Sequence, residues 1–274
     1  MAVVNKESVF RTANRMQLEI HHFAKGTYPV AGREFHALPV NRFFLPISNP
    51  GGANCRIEDE KNSFVLTPGK AYFAPLHYPC RFALDRDLEF VSIHFTLELY
   101  EGIDIFSDFN TLCEIPSPEY LERALKIFDL TEPFTAALAL RGIVSDFAAD
   151  LGGIAESRHL SLVTRFAPFK KELDYLQSRP PARVTVEELA NLRKVTRECF
   201  SRNFVKAAGI TPKLFLTRMT LSRACRLLAG TTRPIKEVAQ ELGFANEFYF
   251  SRFFRKHMNI PPGKYRHLSA GKWL

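Results

Sequence analysis

The chain has 274 residues, 46% hydrophobic and 24% charged, with a formal net charge of +8, a length that allows two domains with separate cores. Its five cysteines (Cys55, Cys80, Cys113, Cys199, Cys225) include no C-x-x-C spacing, which excludes a disulfide framework and a zinc ribbon and predicts reduced thiols. Met1–Glu7 holds no apolar stretch of signal-peptide length and no later run reaches the roughly 18 apolar residues of a membrane span, so a soluble, cytoplasmic protein without membrane contact is expected.

From about residue 15 to 100 the runs Phe43-Phe44-Leu45-Pro46-Ile47, Ser63-Phe64-Val65-Leu66, Lys70–Pro75 and Glu89–Phe95 are rich in β-branched and aromatic residues, with Pro, Gly and Asn turns between them. Strands at this spacing predict a sandwich or small barrel, which can enclose one small ligand. From residue 118 the apolar positions change to helical spacing: Leu121, Leu125, Phe128 and Leu130, then Phe134, Leu138, Ile143, Val144, Phe147 and Leu151. Gly152-Gly153 is expected to end the second helix, and a third runs from about Thr164 to Gln177. Such helices either complete the barrel's core or form a homodimer surface, and the pattern leaves both open.

Arg179-Pro180-Pro181-Ala182-Arg183 predicts a boundary, since a proline pair stops a helix and stiffens a connector. The charge reverses across it. Residues 1–178 hold 18 basic and 23 acidic side chains, net −5, whereas 179–274 hold 19 and 6, net +13. A basic domain behind an acidic one is the footprint of a nucleic-acid binder with a separate sensing or assembly domain. The expected organisation is a barrel with helical extension over 1–178, a linker over 179–183 and an all-α DNA-binding domain over 184–274.

That last domain repeats itself. Glu188-Leu189-Ala190, Thr196, Phe200-Ser201-Arg202-x-Phe204 and Gly209-Ile210-Thr211-Pro212-x-x-Phe215 return as Glu237-Val238-Ala239, Ala245, Phe250-Ser251-Arg252-x-Phe254 and Asn259-Ile260-Pro261-Pro262-x-x-Tyr265. The offset is 49 at the first triplet and 50 from Phe200 onward, so one residue is gained in the second turn. Each copy has the form of a helix-turn-helix, and two in tandem predict a sequence-specific reader of double-stranded DNA. Thr185-x-x-Glu188 is a capping box, and prolines stand at first helical turns. A helix over Pro212–Ala229 would span about 27 Å and hold the two units apart.

In the first unit Val195, Cys199/Phe200 and Phe204 are expected inward; in the second Phe244, Tyr249/Phe250, Phe253 and Phe254. That leaves Glu198, Ser201, Arg202 and Glu247, Phe248, Ser251, Arg252 sharing outward faces as candidate base contacts. The chemistry suits them: Arg pairs with guanine, Glu accepts from cytosine, Ser serves either role, and Phe meets a thymine methyl. Lys194, Arg197, Lys213, Arg218, Arg223, Arg255 and Lys256 are candidate phosphate contacts. For each Arg and Glu a purely structural or charge-tempering role remains the alternative.

The C-terminal hundred residues resemble the DNA-binding domain of the AraC/XylS family of bacterial transcription regulators. The motif is Ile235-x-Glu237-Val238-Ala239-x-x-Leu242-Gly243-Phe244-x-x-x-x-Tyr249-Phe250-Ser251-Arg252-x-Phe254-Arg255-Lys256, followed by Pro262 and Tyr265-Arg266. Lys194 stands where the family carries a turn glycine, so it must take a positive φ or alter the turn. Thr220 replaces a commonly basic residue of the connecting helix, and Asn259 replaces the glycine found at Gly209. More loosely, Leu66–Pro75 with His77, Pro79 and the strand Phe90–Phe95 resemble the family's cupin-like effector barrel. The resemblance implies an α+β protein of two domains, a small-molecule effector such as a sugar, transcription activation and contact with RNA polymerase.

Within the barrel, His94 lies opposite Ile93 and Phe95 and, with His22, Tyr72, His77 and Arg81, could line a polar effector pocket. A satisfied structural role is open for each. The H-x-H…Glu spacing of metal-binding cupins is missing and His21 and His22 are adjacent on a strand, so no metal and no cofactor are expected. The rivals are a barrel that binds a partner protein or only dimerises, and a cupin-type enzyme carrying a DNA-binding tail. The enzyme would need a metal triad or an acid–base pair, and neither spacing occurs, so no catalytic residues are assigned.

Overall fold

The computed structural model describes residues 6–27, 32–36, 38–85, 87–116 and 118–269. In chain order its elements are helix α1 (Lys6–Ala13) and strands β1 (Gln17–Thr27), β2 (Gly32–His36), β3 (Asn41–Ser48), β4 (Arg56–Glu58), β5 (Ser63–Val65), β6 (Lys70–Ala74), β7 (Cys80–Leu84), β8 (Glu89–Tyr100), β9 (Ile103–Asp104) and β10 (Cys113–Pro116). Helices α2 (Pro118–Phe128), α3 (Pro133–Phe166), α4 (Lys170–Gln177), α5 (Val186–Leu192), α6 (Arg197–Ala208), α7 (Pro212–Gly230), α8 (Ile235–Leu242), α9 (Glu247–Met258) and α10 (Pro262–Ser269) follow. The chain forms two compact units. One is mostly β, Leu18–Thr96 with Phe106–Glu156; the other is mostly helical, Ser157–Leu268 with Leu97–Ile105 and the residues up to Gln17.

In the β unit one sheet runs β1-β8-β3-β6-β10 and the other β2-β7-β4-β5. Because successive side chains alternate faces, the central strands β3, β6 and β8 of the first sheet serve two cores. Phe44, Tyr72, Ala74 and Phe90 meet Ile57, Cys80 and Leu84 of the second sheet. On the opposite face Phe43 stacks on Phe147 of α3 at 3.8 Å, Phe73 lies 4.9 Å from Phe106, and Tyr120 of α2 meets Phe43 edge-on. Ile93 and Phe95 are fully buried there, opposite His94 as alternation predicts. The helices of 118–151 thus complete a core, and Phe128, Phe134 and Leu138 stay exposed.

Helix α3 continues through Gly152-Gly153, where a break was expected. A helical glycine costs only about 1 kcal/mol against alanine, and Phe147, Leu151 and Phe166 anchor the helix in buried positions on either side. Pro181–Arg183 form a 3-10 turn inside the helical unit, with Pro181 buried, and the unit already begins at Ser157. Phe166, Phe169, Leu173 and Leu176 belong to the same core as Leu189, Phe200, Phe204, Phe215 and Met219.

Leu99 and Ile103, from the β8–β9 hairpin, join that core too. The hairpin turns at Gly102 with φ +78°, and a Cβ there would come within 3.2 Å of Met219 and 3.3 Å of Phe215. Only glycine meets both demands. Nearby, the buried Glu98 carboxylate accepts a hydrogen bond from Ser222 at 3.1 Å. Burial raises its pKa to about 7, Asp104 pushing the same way and Arg226 opposing. The folded state therefore holds a proton that the unfolded chain releases near 4.5, and stability falls as pH rises from about 4.5 to about 7. We expect Glu98→Gln to remove this component: the Tm difference between variant and parent should grow in the variant's favour across that window, and a constant difference would refute it.

Candidate nucleic-acid interface

Helices α5 and α6 form one helix-turn-helix and α8 and α9 the other. Thr185 and Glu188 close a capping box at the start of α5. Thr196 Oγ1 accepts the Cys199 N–H at 3.2 Å, and Asn246 Oδ1 accepts those of Phe248 and Tyr249, each at 3.0 Å. Thr196 is therefore equivalent to Asn246 and not to Ala245, and the gained residue lies between Gly243 and Asn246. Gly209 and Asn259 end α6 and α9 in the left-handed region, with φ 71° and 59°.

The turn residue of the first unit, Lys194, has φ 56°. An L-residue there costs about 1 kcal/mol, and the turn keeps its form. Its counterpart Gly243 has φ +91°, and a Cβ would lie 2.8 Å from both Pro180 and Arg183. The first turn tolerates a side chain that the second would reject.

Phe200, Phe204, Phe250 and Phe254 are buried at i, i+4 spacing, fixing which face of each helix points inward. Glu198 and Arg202 on α6 and Phe248 and Arg252 on α9 are exposed, with Ser201, Ser251 and Glu247 half-buried beside them. The structure thus brings the three candidates of α6 onto one face and the four of α9 onto another. Tyr249, expected inward, is 61% exposed next to Phe248 at 73%. The Phe250–Phe254 pair already fills the inward stripe, as Phe200–Phe204 does, and that spacing was the signal for turning Tyr249 outward.

Lys194, Arg197, Lys213, Arg255 and Lys256 are exposed. Arg218 is half-buried, and burial lowers its pKa. Arg223 has partners within the protein: its guanidinium pairs with both oxygens of Glu101 and donates to the carbonyls of Leu176 at 2.9 Å and Arg179 at 2.6 Å. Charge alone marked it for phosphate, but its partner lies 122 residues away in sequence.

In the β unit, His22 and His94 rings approach to 4.8 Å. Burial lowers the His22 pKa to about 4, and burial followed by the charges of His22, Arg42 and His21 holds His94 well below its ordinary range, so both are neutral at pH 7. Arg42, opposite His94 across β3 and β8, is buried and donates to Cys80 Sγ at 2.9 Å; the sequence offered no sign of it. Tyr72 is buried, with its hydroxyl donating to Val65 O at 2.6 Å and accepting from Thr67 N–H at 2.9 Å. His77 sits in a turn at φ 57° and its N–H donates to Leu38 O. Arg81 lies exposed on the outer face of β7, 3.4 Å from Glu58, because Cys80 beside it points into the core. The structure therefore joins His22 and His94 with Arg42, and Arg81 stands apart from them. Among the described residues no group of side chains could hold a metal ion, and no helix is long and apolar enough to cross a membrane.

Residues 189–267 match a family described as a helix-turn-helix domain. The chain is 30% identical over 95 residues to the lactose operon transcription activator of Staphylococcus xylosus, covering 35% of this chain and 34% of that protein. It is 33% identical over 82 residues to the RCS-specific transcriptional activator RclR of Escherichia coli, covering 30% and 29%. These matches span about a third of each relative's length. Over most of the chain the fold is similar to ToxT of Vibrio cholerae, at TM-score 0.59 and 14% identity, covering 94% of this chain and 99% of that one. A ToxT structure with bound unsaturated fatty acid aligns at TM-score 0.55 and 14% identity over 92% and 95%.

Proposed function

We propose that residues 189–267, which match a helix-turn-helix family and resemble a transcription activator, are a DNA-binding domain of the AraC/XylS type, and that the chain is a sequence-specific, DNA-binding transcription regulator, and no enzyme. The observation that carries this is the pair of equivalent N-capped helices, α6 and α9, each presenting an Arg and a Ser beside a Glu or Phe on one accessible face, among exposed cations. Glu198, Ser201, Arg202, Glu247, Phe248, Ser251 and Arg252 read base edges; Lys194, Arg197, Lys213, Arg255 and Lys256 hold phosphates. The names of the relatives support activation; contact with RNA polymerase and a cytoplasmic location belong to the same proposal.

Selection of DNA by the full chain, followed by hydroxyl-radical footprinting, should give two contacted elements about 10 bp apart per protomer. Arg252→Ala should cost about 1 to 3 kcal/mol at particular bases. A single short element, or equal losses on selected and random DNA, would contradict the proposal.

The β unit is proposed as the site of a small-molecule effector, held at His22 and His94. Neutral imidazoles both donate and accept hydrogen bonds, which suits the hydroxyls of a carbohydrate, and the fatty-acid-bound ToxT supports a small ligand in this fold. The test is a thermal-shift screen with sugars, uronic acids, aromatic acids and an unsaturated fatty acid, because a specific ligand raises Tm by mass action. His94→Ala should blunt the shift and leave basal DNA binding intact. No shift with any of them would favour a unit that binds a partner or only dimerises. Exposed Phe134 and Leu138 of α3 support a homodimer surface in addition.

A further inference from the structure

We propose that the β8–β9 hairpin braces the connecting helix α7, and that Glu101, acting through Arg223 and Arg226, is a positioning residue that fixes the spacing at which α6 and α9 meet DNA. This rests on the DNA-reading proposal above.

Both reading units hang on α7. Phe215 and Met219 belong to the core of the first, and Arg266 of α10 donates to the Leu228 carbonyl at 3.3 Å. At 19 residues α7 is about 28 Å long, so a small bend moves its ends appreciably. The helix carries two features that favour bending: Thr217 and Thr220 donate to the carbonyls of Lys213 and Leu216, at 3.0 and 2.7 Å. Hydroxyls bonded back to the i−4 carbonyl compete with the helical ladder and bend helices.

The hairpin grips α7 along one face. Gly102 lies against Phe215 and Met219, Glu98 binds Ser222, and Glu101 binds Arg223 and Arg226, the last at 2.5 Å. Positions 215, 219, 222 and 226 follow the 4, 3, 4 spacing of a single helical face. They cover about 16 Å of α7 and bracket both threonines. Arg223 extends the grip to the Leu176 and Arg179 carbonyls, ahead of α5. The Glu101 side chain is 11% exposed, so its two arginine pairs are largely sheltered from solvent. Charge-assisted bonds of this kind are about twice as strong as neutral ones.

The full chain and its Glu101→Gln variant are compared on duplexes carrying the two selected elements at the preferred separation, one base pair closer and one base pair farther. A further duplex carries one element alone. The parent should prefer one separation about tenfold, the scale of a lost charged hydrogen bond. Glu101→Gln should reduce that preference to about twofold with unchanged affinity for the single element, and Glu101→Asp, which keeps the charge, should retain more of it. A merely structural role would lower affinity for all duplexes in proportion. That result, or an unchanged preference in Glu101→Gln, overturns the brace. A parent chain that selects no DNA sequence overturns the DNA-reading proposal and the brace with it.

Discussion

A fragment beginning at residue 180 is expected to lose the first reading unit as a folded element, whereas one spanning 157–268 keeps it. The charge reversal and the proline pair suggest an autonomous DNA-binding piece from 180 onward, but the core runs across that cut. Phe169 lies 5.2 Å from Phe204 and 6.0 Å from Phe200, ring to ring, and Leu173 and Leu176 are buried beside them. Glu172, 2% exposed, accepts from Arg193 Nε at 2.6 Å, and that guanidinium also covers the Phe169 ring. Removing Phe166, Phe169, Leu173 and Leu176 forfeits about 1.5 to 3 kcal/mol each, so on the order of 6 to 12 kcal/mol. Compaction of the unfolded chain makes this an upper range. It is comparable with the whole stability of a small domain, about 5 to 15 kcal/mol. Circular-dichroism melting should give a cooperative transition for 157–268 and a partial or absent one for the fragment from 180. Equal melting of the two would show that α4 is dispensable.

Salt should weaken DNA binding by orders of magnitude. Five exposed cations, Lys194, Arg197, Lys213, Arg255 and Lys256, are available to phosphates in each protomer. At about 0.9 counterions released per phosphate, log affinity should fall against log salt with a slope near −4.5, or about 500-fold for a fourfold rise in salt. Arg255→Ala should take about 0.9 off that slope and weaken selected and random DNA alike. Arg223→Ala separates charge from position. Its guanidinium serves Glu101 and backbone carbonyls, so its loss should lower Tm and leave the slope where it is. A slope shallower by about one unit in Arg223→Ala would return that residue to the phosphate contacts. The measurement is fluorescence anisotropy titration over a salt series, with melting of each variant alongside.

What the sequence determined by itself is what local physics writes into spacing. The repeat with its 50-residue offset, the capping box at Thr185, the left-handed residues at Gly209 and Asn259, and the buried Phe pairs all follow from periods of 3.6 and from residue types with strong backbone preferences. The trios Glu198, Ser201, Arg202 and Phe248, Ser251, Arg252 could be placed on one face for the same reason. Only the tertiary structure decided matters of partnership. Gly152-Gly153 reads as a helix stop, yet buried anchors on both sides carry α3 through it. The proline pair reads as a linker, yet Pro180 and Arg183 pack against Gly243. Arg223 reads as one more cation of a basic domain until Glu101 is brought to it, and Leu97–Ile105 belongs by sequence to the barrel and by packing to the helical unit. Local pattern states which face of an element is apolar or charged. Which distant segment covers that face is settled by burial and pairing across the folded chain, and no local spacing records it.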